Sequence, residues 1–287
     1  MLKNKTDVLI LGGGILGLTI ARSLLETGVH QILILEKESD LGVHASGRNS
    51  GVIHSGVYYE PGTYKARFCM DGNQKLKGFC KDHEIPVLET GKVIVAQSQS
   101  EIGTLHTLYE RAKLNGAQVS LITPQELTQF EPSAKTTGLA LRVNDTAVVD
   151  PKKVLFSLES ELKESGKVNI WKECKYHSRI SENEILTSRG SITFQKFINV
   201  AGGYSDRVAH DFGVGGNFRL LPFKGLYRKV KAPYSSGIKG NIYPVPDLRN
   251  PFLGIHFTRN VYGDVFIGPT AVPAFSPENY GVLSGLD

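Results

Sequence analysis

The sequence contains no run of about 18 uncharged apolar residues, so no segment reads as a membrane-spanning helix. It has only three cysteines, Cys69, Cys80 and Cys174, an odd number without a CxxC spacing. That argues against a disulfide framework and a zinc site, and fits reduced thiols in a cytosolic setting. Met1 to Lys5 carries two lysines but leads directly into a strand-like run, without the apolar stretch and small-residue cleavage site of a secretory leader. The encoded N-terminus is therefore expected to be the mature one. No block of roughly five or six like charges occurs, and no internal repeat or low-complexity tract, which leaves no arm for binding nucleic acid.

What is present suits a folded, soluble protein: 287 residues, 40% hydrophobic and 21% charged, with a mean hydropathy of -0.14. Such a length accommodates two closely associated domains. The net charge of +5 is spread along the chain. It is compatible with attraction of an anionic substrate or loose contact with an acidic membrane surface, and demonstrates neither.

Asp7 to Leu11 is an apolar run of β-formers that stops at three glycines; Ile15 to Glu26 then has helical spacing, and Gln31 to Glu36 reads as a second buried strand. This βαβ unit predicts the nucleus of a doubly wound parallel sheet. After a glycine- and serine-rich loop, Leu41 to Gly56, helices are expected over Thr63 to His83, Gln99 to Asn115 and Thr123 to Phe130. The last is capped by Thr123 with Glu126 three positions on. Cys69 and Cys80 are expected to pack in the first of these. Val87 to Ala96 reads as strands, and Asp150 followed by Pro151 starts a further helix to Ser165. Phe194 to Ala201 looks like a return to the parallel sheet, with helical character from Tyr204 to Phe212. From Phe218 to Gly268, alternating apolar residues and frequent turn signals predict a mostly antiparallel sheet in a second domain.

Gly12, Gly14 and Gly17 form a GxGxxG pattern between strand and helix. There the first glycine permits the tight turn, the second lets the backbone approach a pyrophosphate, and the third lets helix and strand pack closely. The helix N-terminus adds free N–H groups and a positive dipole. Glu36 follows Gly14 by roughly 20 residues, at the end of the second strand, where a carboxylate accepts from both ribose hydroxyls and repels a 2′-phosphate. The ligand is thus NAD or FAD rather than NADP.

The run HASGRNSGVIHSGVYY (His44 to Tyr59) discriminates between the two. With GNIYPVPD (Gly240 to Asp247), FLGIHFT (Phe252 to Thr258) and VAGGYSDR (Val200 to Arg207), it resembles the FAD-dependent oxidoreductases related to D-amino acid oxidase and glycine oxidase. Within these the similarity is greatest to the L-2-hydroxyglutarate oxidase/dehydrogenases, and it runs from Asp7 to about Tyr280. The resemblance implies an α/β fold in which a Rossmann-like FAD-binding parallel sheet is interleaved with an antiparallel-sheet substrate domain. The FAD-binding domain is expected over 1–85 and 150–215, the substrate domain over 86–149 and 216–287. It further implies FAD contacts from Ser46, Arg48, Asn49, Ser50 and Gly51, from Lys37 beside Glu36, from Ala201 and Gly202 at the end of a strand, and from the backbone at Cys174.

Oxidation of a 2-hydroxy acid needs a base for the hydroxyl proton, a task that suits histidine. His44, His54 and His256 lie in motif-rich segments; His54 and His256 are the candidates, and sequence does not choose between them. A dicarboxylate needs cations. Lys224, Arg48 and Arg259 are the leading choices, Lys224 because LLPFKGLYRKV resembles a family strand that faces the active site and so also enters the catalytic set. Tyr58, Tyr59, Tyr227 and Tyr243 can add hydroxyl contacts. No metal is expected.

The implied activity is oxidation of L-2-hydroxyglutarate to 2-oxoglutarate, with electrons passing to oxygen or a quinone in a cytoplasmic enzyme compatible with peripheral contact at the inner membrane. An amine or amino-acid oxidase on the same fold is the competing enzyme. An inactive flavoprotein fragment or partner-binding subunit is the third reading, because family members run on by roughly a further domain beyond the equivalent of Asp287. On that expectation the purified 287-residue chain binds FAD weakly; a bright, stoichiometric flavin spectrum after purification overturns it.

Overall fold

The structure, a computed structural model, describes residues 4–250 and 252–281. The chain divides into two compact units. The described residues of the first are 4–49, 151–222 and 273–281; the second comprises Ser50–Asp150 and Phe223–Val272.

The first unit is built on a six-stranded sheet in the order Tyr176–Ser181, Glu184–Thr187, Gly190–Asn199, Asn4–Leu11, Ile32–Leu35, Val168–Trp171. Its last four strands run parallel, with Val8 opposite Ile32 and Leu9 opposite Phe197, and the first three form an antiparallel meander. Leu9, Ile10, Ile32 and Ile34 are all but inaccessible to solvent, as unbroken apolar strands must be when both faces of a parallel sheet are covered. The helices Ile15–Glu26 and Pro151–Glu164 pack against each other. From Asn4–Leu11 the chain steps first to Ile32–Leu35 on one side and much later to Gly190–Asn199 on the other. The carboxyl end of Asn4–Leu11 is therefore a switch point, where open α/β sheets leave a crevice for a ligand.

The second unit carries a seven-stranded sheet, ordered Arg228–Lys229, Val265–Gly268, His256–Arg259, Asn241–Pro244, Lys92–Val95, Ala140–Val143, Val119–Ile122. It is antiparallel as expected except for one pair, Asn241–Pro244 beside Lys92–Val95; these strands are distant in sequence, so no hairpin constrains their direction. The helix Ile102–Leu114 buries Leu105, Leu108 and Ala112 in a cluster with Ile94, Leu141, Val143 and Tyr243. The predicted capping box forms, Thr123 and Glu126 bonding reciprocally; Thr63 caps its helix as well, accepting from the Ala66 N–H at 3.3 Å. Cys69 and Cys80 lie in the helix Tyr64–Asp82.

The unit boundaries differ from the sequence expectation. Residues 50–85 join the second unit rather than the first, because Val52–Ile53 and Val87–Leu88 flank the same strand, Ala147–Val149. Residues 216–222 join the first unit, where Asp206 accepts from the Leu220 N–H at 3.0 Å. So do 273–281, through Glu278; the last six residues of the expected substrate segment, 282–287, lie outside the described residues.

A buried amide fixes the loop that follows. The Asn73 side chain, 5% exposed, donates to the carbonyls of His54 at 2.9 Å, Asp145 at 3.0 Å and Ile53 at 3.4 Å. Asn73→Ala strands these buried acceptors, and is expected to cost about 2 kcal/mol in urea unfolding with an unchanged m-value; a loss below about 0.5 kcal/mol contradicts that role.

Candidate cofactor cradle and candidate substrate cleft

In the first unit three glycines are held by the absence of a side chain. Gly12 has φ +122°, and a Cβ there would stand 2.3 Å from the Val200 carbonyl oxygen. A Cβ on Gly17 would meet the Gly12 oxygen at 2.0 Å, and one on Gly14 the Ser46 hydroxyl at 2.9 Å. The turn between strand and helix therefore lies bare against its neighbours, as a diphosphate cradle requires. Ser46 accepts from the Ile15 N–H at 3.0 Å, closing one free donor of the helix N-terminus.

Glu36 is turned onto this cradle. Its Oε2 accepts from the Gly13 N–H at 3.2 Å and its Oε1 from the Glu38 N–H at 3.0 Å, leaving further lone pairs for ribose hydroxyls. The Cys174 N–H donates to the Glu36 carbonyl at 2.9 Å, while its side chain is buried in the core. Across the switch point, Ala201 accepts from the Tyr204 N–H at 3.1 Å, and Gly202 takes φ +57°. Gly12, Gly14, Gly17, Glu36, Cys174, Ala201 and Gly202 are thus gathered around one strand end. These residues fit a dinucleotide: the space at Gly12 to Gly14 is what any Cβ would fill.

Other predicted contacts are already committed. The Lys37 ammonium binds Glu278 at 2.5 Å, His44 at 2.8 Å, and Glu38. Burial opposes its charge, but the carboxylates of Glu278 and Glu38 outweigh burial and hold its pKa above the usual lysine value. Glu38, His44 and Glu278 offer ligand atoms within 4.8 Å of one another, with the Lys37 ammonium bonded to all three. Arg48 donates to the Val43 carbonyl at 2.6 Å and lies 4.1 Å over the Tyr280 ring. Asn49 closes its own turn on Ala45 and Ser46. Ser50 and Gly51 begin the second unit, where Ser50 bonds Tyr227 and the Gly51 carbonyl accepts from Val149.

The second unit holds a small cleft of about 60 Å³ lined by the loop His54 to Tyr59, Lys92 and Leu253. Lys92, at the start of a central strand, is 2% exposed. Its Nζ stands 4.5 Å from the Tyr58 ring centre and 5.1 Å from that of Tyr243. Burial, opposed weakly by the Cys69 thiol, drives its pKa down to about 7. Burial, then Lys92 and His256, push His54 down to about 3. His256 stacks on Tyr243 at 3.8 Å; its Nδ1 lies 2.8 Å from the Gly254 carbonyl, which can only accept, so Nδ1 carries the proton and Nε2 keeps its lone pair in the neutral ring. Burial and Lys92 keep that ring neutral, against the Gly254 bond.

The cleft thus gathers His54 and Tyr59, with Tyr243 and His256 beside Lys92, but not every predicted cation. Arg259 is a correction: strand alternation puts it on the face opposite His256 and Thr258, where it donates to the Ile238 carbonyl at 2.7 Å. Lys224 lies on Phe223–Lys224, in a separate two-stranded sheet. Sequence reasoning missed Lys92, Gly13, Gly42 and Gly47. A Cβ on Gly47 would meet the Gly42 oxygen at 2.0 Å; for Lys92 the available signal was its place ahead of the apolar residues Val93 to Ala96.

Residues 7–284 match the family model for FAD dependent oxidoreductases. The chain is 38% identical to the mitochondrial L-2-hydroxyglutarate dehydrogenase of Bos taurus, over 96% of its own length and 62% of the relative's. It is 40% identical to the L-2-hydroxyglutarate dehydrogenase of Indibacter alkaliphilus, over 96% and 70%. The chain therefore spans a little under two thirds of the bovine protein. Among solved structures, FAD-bound L-alpha-glycerophosphate oxidase from Mycoplasma pneumoniae superposes with a TM-score of 0.83 at 23% identity, covering 96% of this chain and 73% of the other. Glycine oxidase from Geobacillus kaustophilus gives 0.79 at 19%, over 94% and 71%. With a cradle shaped for a dinucleotide and a family match across nearly its whole length, the chain belongs to the FAD dependent oxidoreductases, among the relatives of the L-2-hydroxyglutarate dehydrogenases.

Proposed function

We propose that this protein oxidises L-2-hydroxyglutarate to 2-oxoglutarate, the first unit holding FAD and the second binding the substrate. The observation that carries the cofactor half is the Glu36 carboxylate locked onto the Gly13 N–H beside glycines that admit no side chain. The substrate half is supported by 40% identity to a dehydrogenase of that name and by a cleft that combines the neutral His54 with a buried amine. Electron transfer onward to oxygen or quinone, and cytoplasmic residence with peripheral membrane contact, belong to the same proposal. Among the described residues no helix is long and apolar enough to cross a membrane.

Gly12, Gly14 and Gly17 with the dipole of Ile15–Glu26 would hold the diphosphate, and Glu36 the ribose. Bound FAD would supply the two-electron acceptor for the oxidation. His54 lines the cleft and takes the hydroxyl proton. It enters the reaction unprotonated, because burial keeps its ring neutral. A substrate carboxylate brought into the cleft adds negative charge beside it, which raises its pKa toward working pH and strengthens it as a base. His256, fixed through Gly254, holds its ring against Tyr243 and backs this arrangement.

Anaerobic addition of L-2-hydroxyglutarate to the chain reconstituted with excess FAD is expected to bleach the flavin, with the D-enantiomer inert. Bleaching by amino acids alone would replace this reading with an amino-acid oxidase, and no bleaching by any of these would remove it. His54→Gln is expected to lower kcat about 10²–10⁴-fold with little change in FAD affinity; a loss of that size confined to His256→Gln would move the base to His256.

A further inference from the structure

A buried cation normally has a buried anion. Lys92 has none: among the described residues its ammonium makes no ion pair, and the only group of opposite tendency that acts on it is the Cys69 thiol. What surrounds it otherwise favours positive charge without neutralising it. The faces of Tyr58 and Tyr243 lie 4.5 and 5.1 Å from Nζ. A second polar group belongs to the same wall: Tyr58 lines the cleft, and its buried hydroxyl has no hydrogen-bond partner among the described residues. A buried donor without an acceptor, next to a buried amine without a counter-ion, describes the negative image of a carboxylate.

We infer that Lys92 is the counter-ion of the substrate, its ammonium and the Tyr58 hydroxyl together receiving one carboxylate of a 2-hydroxy or 2-oxo acid in the cleft. The inference rests on the proposed oxidation for the identity of the acid, and on the geometry alone for the presence of a carboxylate. The groups that face Lys92 are His54 and Tyr58 on the loop, Cys69 on the helix Tyr64–Asp82, Tyr243 on its neighbouring strand and His256 on the next. None is an anion near neutral pH: the histidines are held neutral and burial pushes the Cys69 thiol and the Tyr58 hydroxyl up. At pH 8 the Lys92 amine is mostly uncharged in the free protein, so an incoming carboxylate must bring a proton with it from solvent. Lys92 is a binding residue in this account, and the hydroxyl proton still goes to histidine.

The test is calorimetric titration of the FAD-reconstituted protein with 2-oxoglutarate and with pyruvate at pH 8, repeated in buffers of different ionisation enthalpy to count protons. Wild-type protein is expected to take up a large fraction of one proton per ligand bound. Lys92→Met is expected to bind at least ten-fold more weakly, to take up no proton, and to melt at the same or a higher temperature, since it removes a buried amine rather than a structural contact. Unchanged affinity in Lys92→Met, or binding to the wild type without proton uptake, overturns the inference; the second result needs no variant to fold. If pyruvate binds and 2-oxoglutarate does not, with the Met variant losing pyruvate, the Lys92 assignment stands and the dicarboxylate reading falls. If neither acid binds the wild type, both fall.

Discussion

The structure of the first unit depends on one close approach of backbone to backbone. The strand Asn4–Leu11 ends where the Gly12 α-carbon faces the Val200 carbonyl and the Gly17 α-carbon faces the Gly12 carbonyl, with no room for a methyl group at either point. That approach joins the two arms of the parallel sheet at its switch point. It brings the helix Ile15–Glu26 onto the strand it follows, and leaves the Gly13 and Ile15 N–H groups accessible to Glu36 and Ser46. A side chain at Gly12 would strain a φ of +122° and push apart the two strand ends that define the crevice. The cofactor cradle is thus a consequence of how the sheet closes, and the carboxylate and hydroxyl that complete it are delivered by the next strand and the loop after it.

This explains which features were legible in the sequence. Gly12, Gly14, Gly17 and Glu36 act within one strand-turn-helix-strand unit, so their spacing along the chain is their spacing in space. Thr123 was readable for the same reason, since a cap acts on an N–H three residues away. Gly47 was not, because what excludes its side chain is the Gly42 carbonyl in an irregular loop. Arg259 was misplaced because it directly follows the FLGIHFT motif, three residues from His256, whereas a strand with period two sends the two to opposite faces. The boundary at residue 50 escaped notice because it is set by pairing of Val52–Ile53 with a strand almost a hundred residues on.

Lys92 is the sharpest case. A lysine at the first position of a strand ordinarily points its amine into water. Here Asn241–Pro244 and Ala140–Val143 lie on either side of its strand, and Tyr58 and Tyr243 close over the ammonium. The only local hint is the apolar run Val93 to Ala96 that follows Lys92, while the rings that cover its ammonium come from segments distant in the sequence.

The energetics of that burial bear on function. Between about pH 7 and the ordinary lysine value of 10.5 the unfolded chain binds a proton at this position and the folded chain does not. Stability therefore rises with pH through that window, and below about pH 7 the full cost of burying the amine is present, on the order of 5 kcal/mol as an upper bound. A fold gains nothing from such an arrangement by itself: a methionine of similar length would pack between the same rings without it. The cost is recovered only when an anion arrives, because the attraction between ammonium and carboxylate is strongest where water has been excluded. A lysine exposed at the rim would bind the same carboxylate weakly and with little selectivity. Burial thus converts a modest surface attraction into a binding step that charges the amine, and it does so beside the histidines whose basicity the same carboxylate raises.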